Sequence, residues 1–437
     1  MSTIATSAWL EALLHDQPPS PAAGDAALAW LKPLRAQALE RVNALTLPTV
    51  REEAWRFTDI SPLTRQTLHP LRTPTPLREA DIAPFHIPEA GTRLVFVDGV
   101  HAPALSCTAP DFAATASTLQ TAPPSLAAGL APHLTRHATF HNALFTALNT
   151  AFLQDAALLT VPRNTALASP VHLLFIATQP AVASHPRLLL VAEPGSAVIV
   201  VEDYVSLHAG PGFTNAVAEI VVGANAKLEH IRLQRESHQA IHLGRCDVSL
   251  APSARYHAVS IALGAHISRQ ELAVQQTGEG TECTLDGLAL LSGQQLADTH
   301  TFIDHARPQG RSRQLHKTIV DGTAHAVFNG KVRVAPGAQG TDSAQTSRNL
   351  LLTPQAVVDT QPQLEIFADD VKCTHGAAVG QLDSEEIFYL QSRGLSRDAA
   401  RKLLTYAFAA DVIDRIPVAS LRQQLETAVL EQTHHQP

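Results

Sequence analysis

The spacing of turn residues in the middle of the chain constrains the fold more than any other feature. From residue 158 to about residue 380, short runs of β-forming residues alternate with turn residues, and no stretch between them has a good helical pattern. Gly264, Gly293 and Gly322 follow one another at intervals of 29 residues. A fixed period of strands and turns without helices is typical of a parallel β-solenoid, in which each coil stacks on the last. A β-sandwich is the alternative, because turns alone do not specify strand pairing.

The two ends of the chain have helical patterns instead. Near the start, Trp9, Leu10, Leu13 and Leu14 recur close to helical spacing. Helical spacing of apolar residues returns after residue 381. We therefore predict a mainly β protein with helical ends, in three parts: a helix-rich N-terminal region (1–157), a parallel β-helix core (158–381) and a C-terminal helical domain (382–437).

The C-terminal helices have recognisable start and stop signals. Asp383 followed by Glu386 is a capping signal, and Gly394 is a helix stop. Two interpretations of these helices stay open: they close the end of the solenoid, which needs covering, or they bind a partner protein. The apolar residues that could face a partner are Phe388, Leu390, Leu403, Leu404 and Phe408.

Composition excludes several classes of protein. Charged residues make up 16% of the 437 residues, below the usual quarter, so we expect part of the surface to pack against other chains. The net charge of -8 gives no electrostatic reason to bind nucleic acid or an anionic membrane. The first residues do not have the pattern of a secretory signal, no apolar run could span a bilayer, and the four cysteines form no CxxC pair. These features predict a cytoplasmic protein with reduced thiols.

A cysteine and a histidine lie two residues apart at the end of the last β-forming run. Residues i and i+2 of a strand share one face, so Cys373 and His375 could approach one metal ion from the same surface. Thiolate and neutral imidazole are ligands of zinc, copper and iron-sulfur iron. Two ligands are too few to hold a metal alone. The pair is either part of a site completed elsewhere, for example by another chain, or a buried cysteine beside a hydrogen-bonded histidine.

Residues 298–325 gather ionisable side chains. Carboxylates paired with Arg or Lys can abstract protons from sugar acids, so this segment could be the active site of a β-helix lyase or hydrolase acting on acidic polysaccharide. A solvated outer face of the solenoid explains the same residues, because outward positions alternate with core positions on every strand. The residues are Asp298, His300, Asp304, His305, Arg307, Arg311, Arg313, His316, Lys317 and His325.

Taken in order along the chain, several segments resemble the SufB/SufD family of iron-sulfur cluster assembly proteins. None of them is decisive by itself, but together they extend over most of the chain. The matching segments are 52–59, 148–153, 161–163, 327–331, 344–346, 350–352, the segment around Cys373 and His375, and 388–394.

The resemblance implies a right-handed parallel β-helix and a role as a scaffold subunit of a SufBCD-type complex. It implies a SufB-like paralogue that pairs through the β-helix and a SufC-like ABC ATPase that binds the C-terminal helices. His375 matches a functionally important histidine of SufD-type chains, and Cys373 matches the neighbouring cysteine. The resemblance thus makes both residues candidate ligands of iron, or of a nascent iron-sulfur cluster, at the interface with the partner.

The resemblance favours the SufD type over the SufB type. Where SufB-type chains have an essential cysteine, this chain has Ser347, and serine is a poor iron ligand. A chain of this kind would contribute one or two ligands to a shared site and hold no stable cluster alone. The chain also has no GxxxxGK[ST] phosphate loop, so we expect a non-catalytic subunit whose partner hydrolyses ATP.

Overall fold

The computed structural model describes residues 2–16, 30–71, 73–109, 116–123, 126 and 129–432. Within this part of the chain, no helix combines the length and the apolar character needed to cross a membrane. The helices are α1 (Ser2–His15), α2 (Leu31–Ala44), α3 (Ser61–Thr64), α4 (Glu79–Ile82), α5 (Leu144–Ala151), α6 (Ser384–Ser392), α7 (Arg397–Ile413) and α8 (Ala419–Gln432). The strands are β1 (Thr92–Val97), β2 (Val100–His101), β3 (Ala116–Thr118), β4 (Ala157–Val161), β5 (Val171–Ala177), β6 (Ala183–Ser184), β7 (Arg187–Ala192), β8 (Ala197–Ser206), β9 (Phe213–Val222), β10 (Lys227–Arg235), β11 (Ile241–Leu250), β12 (Arg255–Ala262), β13 (Ile267–Gln276), β14 (Glu282–Leu291), β15 (Leu296–His305), β16 (Arg311–Val320), β17 (His325–Val334), β18 (Thr341–Leu351), β19 (Val357–Ile366) and β20 (Val371–Gln381).

The strands form two long sheets that enclose one interior. The first sheet stacks the even-numbered strands from β8 to β20, and the second stacks the odd-numbered strands from β7 to β19. Neighbours within each series are parallel. The length of one coil varies along the solenoid. The shortest has 26 residues, from Ile241 to Ile267, and the longest has 32 residues, from His325 to Val357. This solenoid of about eight turns confirms the predicted parallel β-helix, and the β-sandwich alternative is wrong.

Alternation along each strand decides which side chains fill the interior. Val200, Leu228 and Val248 are inward-facing members of the main apolar core, and each is almost fully buried. Burying one such side chain stabilises the fold by about 1.5–3 kcal/mol. In the last coils, however, the inward positions of the first sheet become polar. On β18 the first five inward residues are polar and buried, namely Thr341, Ser343, Gln345, Ser347 and Asn349, and only the last, Leu351, is apolar.

The N-terminal region contributes strands as well as helices. β1 extends the first sheet in parallel with β5, and the short antiparallel strands β2 and β3 pair with β1 and β4. The sequence predicted no strand before residue 158, so these three were missed. Helices α1, α2 and α5 cover the outer face of the second sheet, where Leu13, Val42 and Leu148 pack with Phe213. Both sheets therefore begin with a short antiparallel strand from this region.

The C-terminal helices lie along the outer face of the first sheet. The carboxylate of Asp383 accepts a backbone N–H of the first turn of α6 at 2.8 Å, and Gly394, with a φ of 94°, follows its end, as the sequence predicted. Val412 and Ile413 of α7 are fully buried against a cluster that includes Ile231 of β10. The interpretation of these helices as a cap over the end of the solenoid is therefore wrong, because they cover its flank.

The C-terminal end of the solenoid is open. Within the described part of the chain, β19 and β20 each have a paired strand on one side only, and no residue of either strand is fully buried. Val357, Ile366 and Val379 expose 40–49% of their surface there. An edge of this kind presents unpaired N–H and C=O groups that can pair with another chain.

Candidate functional site at the open end of the solenoid

Cys373 and His375 lie on β20, the last strand of the first sheet. In the strand register, Cys373 pairs with Ser343 and His375 pairs with Gln345, and both partners are buried inward-facing residues of β18. Cys373 packs partly against the main core, whereas His375 is exposed. The two candidate ligands therefore lie at the open end of the solenoid interior, which we call the mouth, and they share one face of β20, as their spacing predicted.

Beneath Cys373, hydroxyl groups form a hydrogen-bonded row along the interior. The hydroxyl of Ser312 donates to Ser343 Oγ at 2.8 Å, and His305 Nε2 lies 2.9 Å from Ser312 Oγ. Burial lowers the pKa of His305 to about 4, so its ring is neutral. Burial also raises the pKa of the Cys373 thiol, although a backbone N–H of Ser343 opposes that shift. The thiol of Cys373 is therefore protonated in the chain alone at neutral pH.

Beneath His375, the same interior contains a row of carboxamides. Gln314 and Gln345 pair in register on β16 and β18. The hydroxyl of Thr301 donates to Gln314 Oε1 at 2.8 Å. Gln345 is 1% exposed, and neither its Oε1 nor its Nε2 has a hydrogen-bond partner within the described residues. Neither residue was predicted to have a role at the site, although Gln345 lies in the family-like segment 344–346 and polar residues at every second position of β18 were a usable signal.

Ser347 lies in this interior as well. It is 1% exposed, its Oγ accepts a hydrogen bond from Asn349 Nδ2 at 3.1 Å, and it pairs in register with Ala377 of β20. Ser347, the residue on which the expected SufD type rests, therefore lies two residues along β18 from Gln345, on the same inward face.

The candidate ligands do not form a complete metal site by themselves. In the part of the chain that the structure describes, no three His, Cys, Asp or Glu side chains come close enough together to hold a metal ion. Cys373 and His375 supply one soft sulfur and one imidazole nitrogen, which suit iron but leave half of a tetrahedral coordination shell to other donors. This arrangement can hold iron only as a shared site.

The predicted partner-binding residues fall into two groups. Phe388 is 72% exposed and Leu403 is 45% exposed, so both are available to another protein. Leu390 and Leu404 are half-buried. Phe408 is also half-buried, and its ring lies 4.4 Å from Lys317 Nζ at the contact between α7 and the first sheet. Phe408 therefore holds the helix on the solenoid, while the outer side of α6 and α7 remains free.

The ionisable residues of 298–325 do not all meet in one site, although Asp298 and His300 pair with each other at 2.8 Å. Asp298 faces outward from the second sheet, where it accepts a hydrogen bond from Thr58 at 2.6 Å and pairs with Arg269. His305 and His316 point into the interior, and burial lowers the pKa of each to about 4. Arg313 and Lys317 face outward from the first sheet. The geometry gives no support to a polysaccharide-cleaving site in this segment.

Asp298 has a structural role instead. Its neighbour Arg269 is 2% exposed and lies 4.0 Å from the Trp55 ring, and Thr58 bonds to Asp298 itself. Trp55 and Thr58 belong to the segment 52–59, which was singled out from the sequence. This segment thus fastens the N-terminal region to the outer face of the second sheet.

Comparison with known proteins identifies the family. The family model "SUF system FeS cluster assembly, SufBD core domain" matches residues 175–408, and "SufBD protein N-terminal region" matches residues 22–173. An "Iron-sulfur cluster assembly SufBD family protein" of Synechocystis is 39% identical over 409 residues, which cover 90% of this chain and 89% of that protein. "Iron-sulfur cluster assembly protein SufD" of Escherichia coli is 34% identical over 400 residues, with 90% and 91% covered. "Protein ABCI7, chloroplastic" of Arabidopsis thaliana is 31% identical over 422 residues, with 91% and 85% covered.

These matches extend over both the N-terminal region and the solenoid, and they agree with the segments that resembled the family in the sequence. The chain belongs to the SufBD family of iron-sulfur cluster assembly proteins.

Proposed function

We propose that this protein is the SufD-type scaffold subunit of a SufBCD-type complex, where it assists iron entry and the formation of a nascent cluster at the interface with a SufB-like chain. The observation that supports the proposal most strongly is the open end of the solenoid. That end combines two unpaired strand edges with the only pair of soft-metal donors that the sequence analysis singled out, Cys373 and His375.

The open end suits a partner that is itself a solenoid. A second parallel β-helix with an open end could continue both sheets across the interface, which would pair the free backbone groups of β19 and β20. Val357 and Val379, which are about half exposed, would be buried in that contact, as would Phe367, which is 57% exposed. Pairing through the solenoid ends would place the partner's side chains directly over His375.

The donor set supports a shared cargo site rather than a resident cofactor. Iron bound by His375 and Cys373 would need further ligands from the partner, because Ser347 offers only a weak oxygen donor. Binding requires the Cys373 thiolate, and burial raises the pKa of this thiol. We infer that iron is bound at this mouth only when the partner supplies the remaining ligands.

The C-terminal helices would bind the ATPase. Phe388, Tyr389 and Leu403 expose 72%, 56% and 45% of their surface on α6 and α7, and exposed aromatic side chains are enriched at protein interfaces. Because the opposite side of α7 is packed on the first sheet, a movement of the bound ATPase would be passed to the solenoid. The scaffold itself would be non-catalytic, with ATP hydrolysis in a SufC-like partner.

The experiment that tests this proposal is anaerobic co-purification of the chain with candidate SufB-like and SufC-like partners, in wild-type form and as His375→Ala. We expect both forms to assemble, and only the wild-type complex to carry the visible absorbance of an iron-sulfur cluster. His238→Ala is the matched control, because His238 is exposed and lies in the turn after β10, away from the open end.

Two results would contradict the proposal in different ways. A fully coloured His375→Ala complex would remove His375 from cluster assembly while leaving the scaffold role. Failure of the wild-type chain to associate with either partner would remove the scaffold role itself.

A further inference from the structure

The carboxamide of Gln345 lies directly beneath His375 in the interior of the solenoid. The two residues pair in register on adjacent parallel strands, which lie about 4.8 Å apart, and both occupy inward positions. Gln345 reaches across the interior to β17, where Gly330 leaves room for it. A Cβ atom on Gly330 would overlap Gln345 Nε2, so only glycine at this position accommodates the observed side chain.

Gln345 differs from the carboxamide one coil deeper. Within the described residues, Gln314 Oε1 accepts a hydrogen bond from Thr301 and only its Nε2 lacks a partner, whereas Gln345 has no hydrogen-bond partner at either end of its amide. Burying a polar group without a partner costs about 1–3 kcal/mol. A carboxamide held in such a position, against a glycine that makes space for it, is available to pair with a group that approaches from the open end.

We propose that Gln345 is a positioning residue for His375. The two side chains are not hydrogen-bonded in this structure, but the exposed ring of His375 can turn inward, where Gln345 Oε1 accepts the N–H of one ring nitrogen and leaves the other nitrogen directed out of the mouth towards incoming iron. This inference rests on the proposed role of His375 as an iron ligand. A histidine that binds a metal generally donates its second ring N–H to a carbonyl or carboxylate, which fixes both the tautomer and the ring orientation.

The position of His375 makes such a partner necessary. The residue is exposed on an edge strand, and within the described residues its ring makes no hydrogen bond to another side chain that would hold it. An unrestrained ring would present either nitrogen in several orientations. A buried acceptor directly below it limits the ring to one of these, as a supporting group does for the ligands of a precise site.

The same geometry accounts for two segments that were noticed only as sequence motifs. Gly330 belongs to segment 327–331 and Gln345 belongs to segment 344–346, and the two meet across the interior one coil below His375. Their common feature is that together they place a carboxamide under the candidate ligand.

The test is the tautomer of His375 in the full chain labelled with ¹⁵N-histidine. Ring-nitrogen signals would be recorded near pH 8, where an ordinary histidine is neutral, and His375 would be assigned by its loss in His375→Ala. We expect one protonated nitrogen in the wild type. Gln345→Met removes the acceptor at nearly equal length, and it should shift the signals to the mixture of tautomers of an unrestrained histidine.

Three further variants complete the test. Gln345→Glu keeps an acceptor and should retain the wild-type signals. Gly330→Ala should displace the amide and reproduce the effect of Gln345→Met without altering Gln345. Gln314→Met makes the same substitution one coil deeper and should leave His375 unchanged. If Gln345→Met does not fold, as judged by thermal unfolding, Gly330→Ala still decides the question.

In the assembled complex, we expect Gln345→Met to lower the rate of cluster formation by about 10- to 100-fold, the range for loss of a group that supports a metal ligand. Unchanged His375 signals in both Gln345→Met and Gly330→Ala would overturn the positioning role, as would an equal shift in Gln314→Met. If these variants behave as expected but His375→Ala still assembles clusters, the iron-ligand role of His375 fails while the tautomer result stands.

Discussion

His257 lies between two carboxylates on the outer face of the first sheet. Its Nδ1 is 2.6 Å from Glu229 Oε2 and its Nε2 is 3.0 Å from Asp286 Oδ2, so the ring joins β10, β12 and β14. Burial lowers the pKa of His257, but the hydrogen bonds to Asp286 and Glu229 outweigh burial and raise it to about 9. Arg415, which follows α7, also bonds to Asp286, at 2.8 Å, so this network reaches the C-terminal helices.

The raised pKa of His257 predicts a loss of stability at alkaline pH. An unfolded histidine titrates near 6.5, so the contribution of His257 to the free energy of unfolding is complete below about pH 6.5 and is lost as the pH rises through about 9. We expect the wild type to exceed His257→Gln by about 1–3 kcal/mol at pH 6 and by much less at pH 9.5. Denaturant unfolding at both pH values measures this, with His238→Gln as the exposed control. A wild-type advantage that is the same at both pH values would show that His257 is not charged in the folded state.

From the sequence, the face that a residue occupies could be predicted only relative to its neighbours on the same strand. The spacing of Cys373 and His375 placed both on one face, and the structure confirms this. The role of Gln345 could not be predicted, because it depends on which residue of a strand 30 positions away lies above it and on a glycine across the interior. Such pairings depend on the coil length, which varies between coils.

At the scale of elements, one buried lysine fastens α7 to the solenoid. Lys317 of β16 is 3% exposed, and its ammonium group donates to the carbonyl oxygen of Phe408 at 2.8 Å and pairs with Asp411. The same nitrogen lies over the Phe408 ring. One ammonium group thus satisfies a backbone carbonyl, a carboxylate and an aromatic face of the same helix.

Lys317→Met should loosen the C-terminal helices without unfolding the solenoid. Methionine keeps the apolar stem but loses the charge, so we expect a loss of about 1–3 kcal/mol in stability and faster hydrogen exchange in α7. Lys331→Met is the matched control, because Lys331 forms a partly exposed pair with Glu365 and should cost no more than about 1 kcal/mol. Unchanged exchange in α7 would mean that apolar packing alone holds the helix.

The exposed side of α6 and α7 leads to a separate prediction. Phe388→Ser combined with Leu403→Ser should weaken binding of a SufC-like ATPase more than tenfold, because large exposed apolar residues are typical anchors of an interface. The free energy of unfolding should change little, since both side chains are largely exposed. Leu430→Ser, on α8 at 41% exposure, is the control. Equal binding by the double variant and the control would place the ATPase elsewhere.

The elements were predictable where their patterns were long or repeated. The regular turns revealed the coils, and Asp383 and Gly394 marked the limits of α6. Strand β1 was missed because it stands alone among many prolines, although its six residues run between Gly91 and the Asp98-Gly99 turn, which is a usable strand signal. The amphipathic stripe of α7 predicted burial, but a stripe does not say which surface it meets, so the flank position could not be derived.

The whole molecule is a solenoid with two different ends. At the first end, each sheet terminates in a short antiparallel strand contributed by the N-terminal region. At the other end, the parallel strands β19 and β20 have no paired strand on their outer side among the described residues. An uncovered edge with exposed apolar residues is an aggregation hazard unless another chain pairs with it. The asymmetry between the ends therefore indicates where a second solenoid would bind.

A charge at the open end should prevent this pairing. Val379 is 49% exposed and lies on β20, so Val379→Lys should leave the chain folded while opposing the addition of a strand. We expect loss of co-purification with a SufB-like chain and retained binding of a SufC-like ATPase. Val50→Lys, at 47% exposure in the N-terminal region, is the control. Retained association of Val379→Lys with the SufB-like chain would exclude the open end as the interface.

Hydrogen exchange of the backbone amides of β19 and β20, compared with and without a SufB-like partner, tests the central claim most directly. We predict fast exchange at the outer edge of both strands in the free chain and strong protection in the complex, with the early coils β8 to β12 unchanged. Protection that appears on another surface, with β19 and β20 exchanging as fast as in the free chain, would contradict the assignment of cluster assembly to the open end of the solenoid.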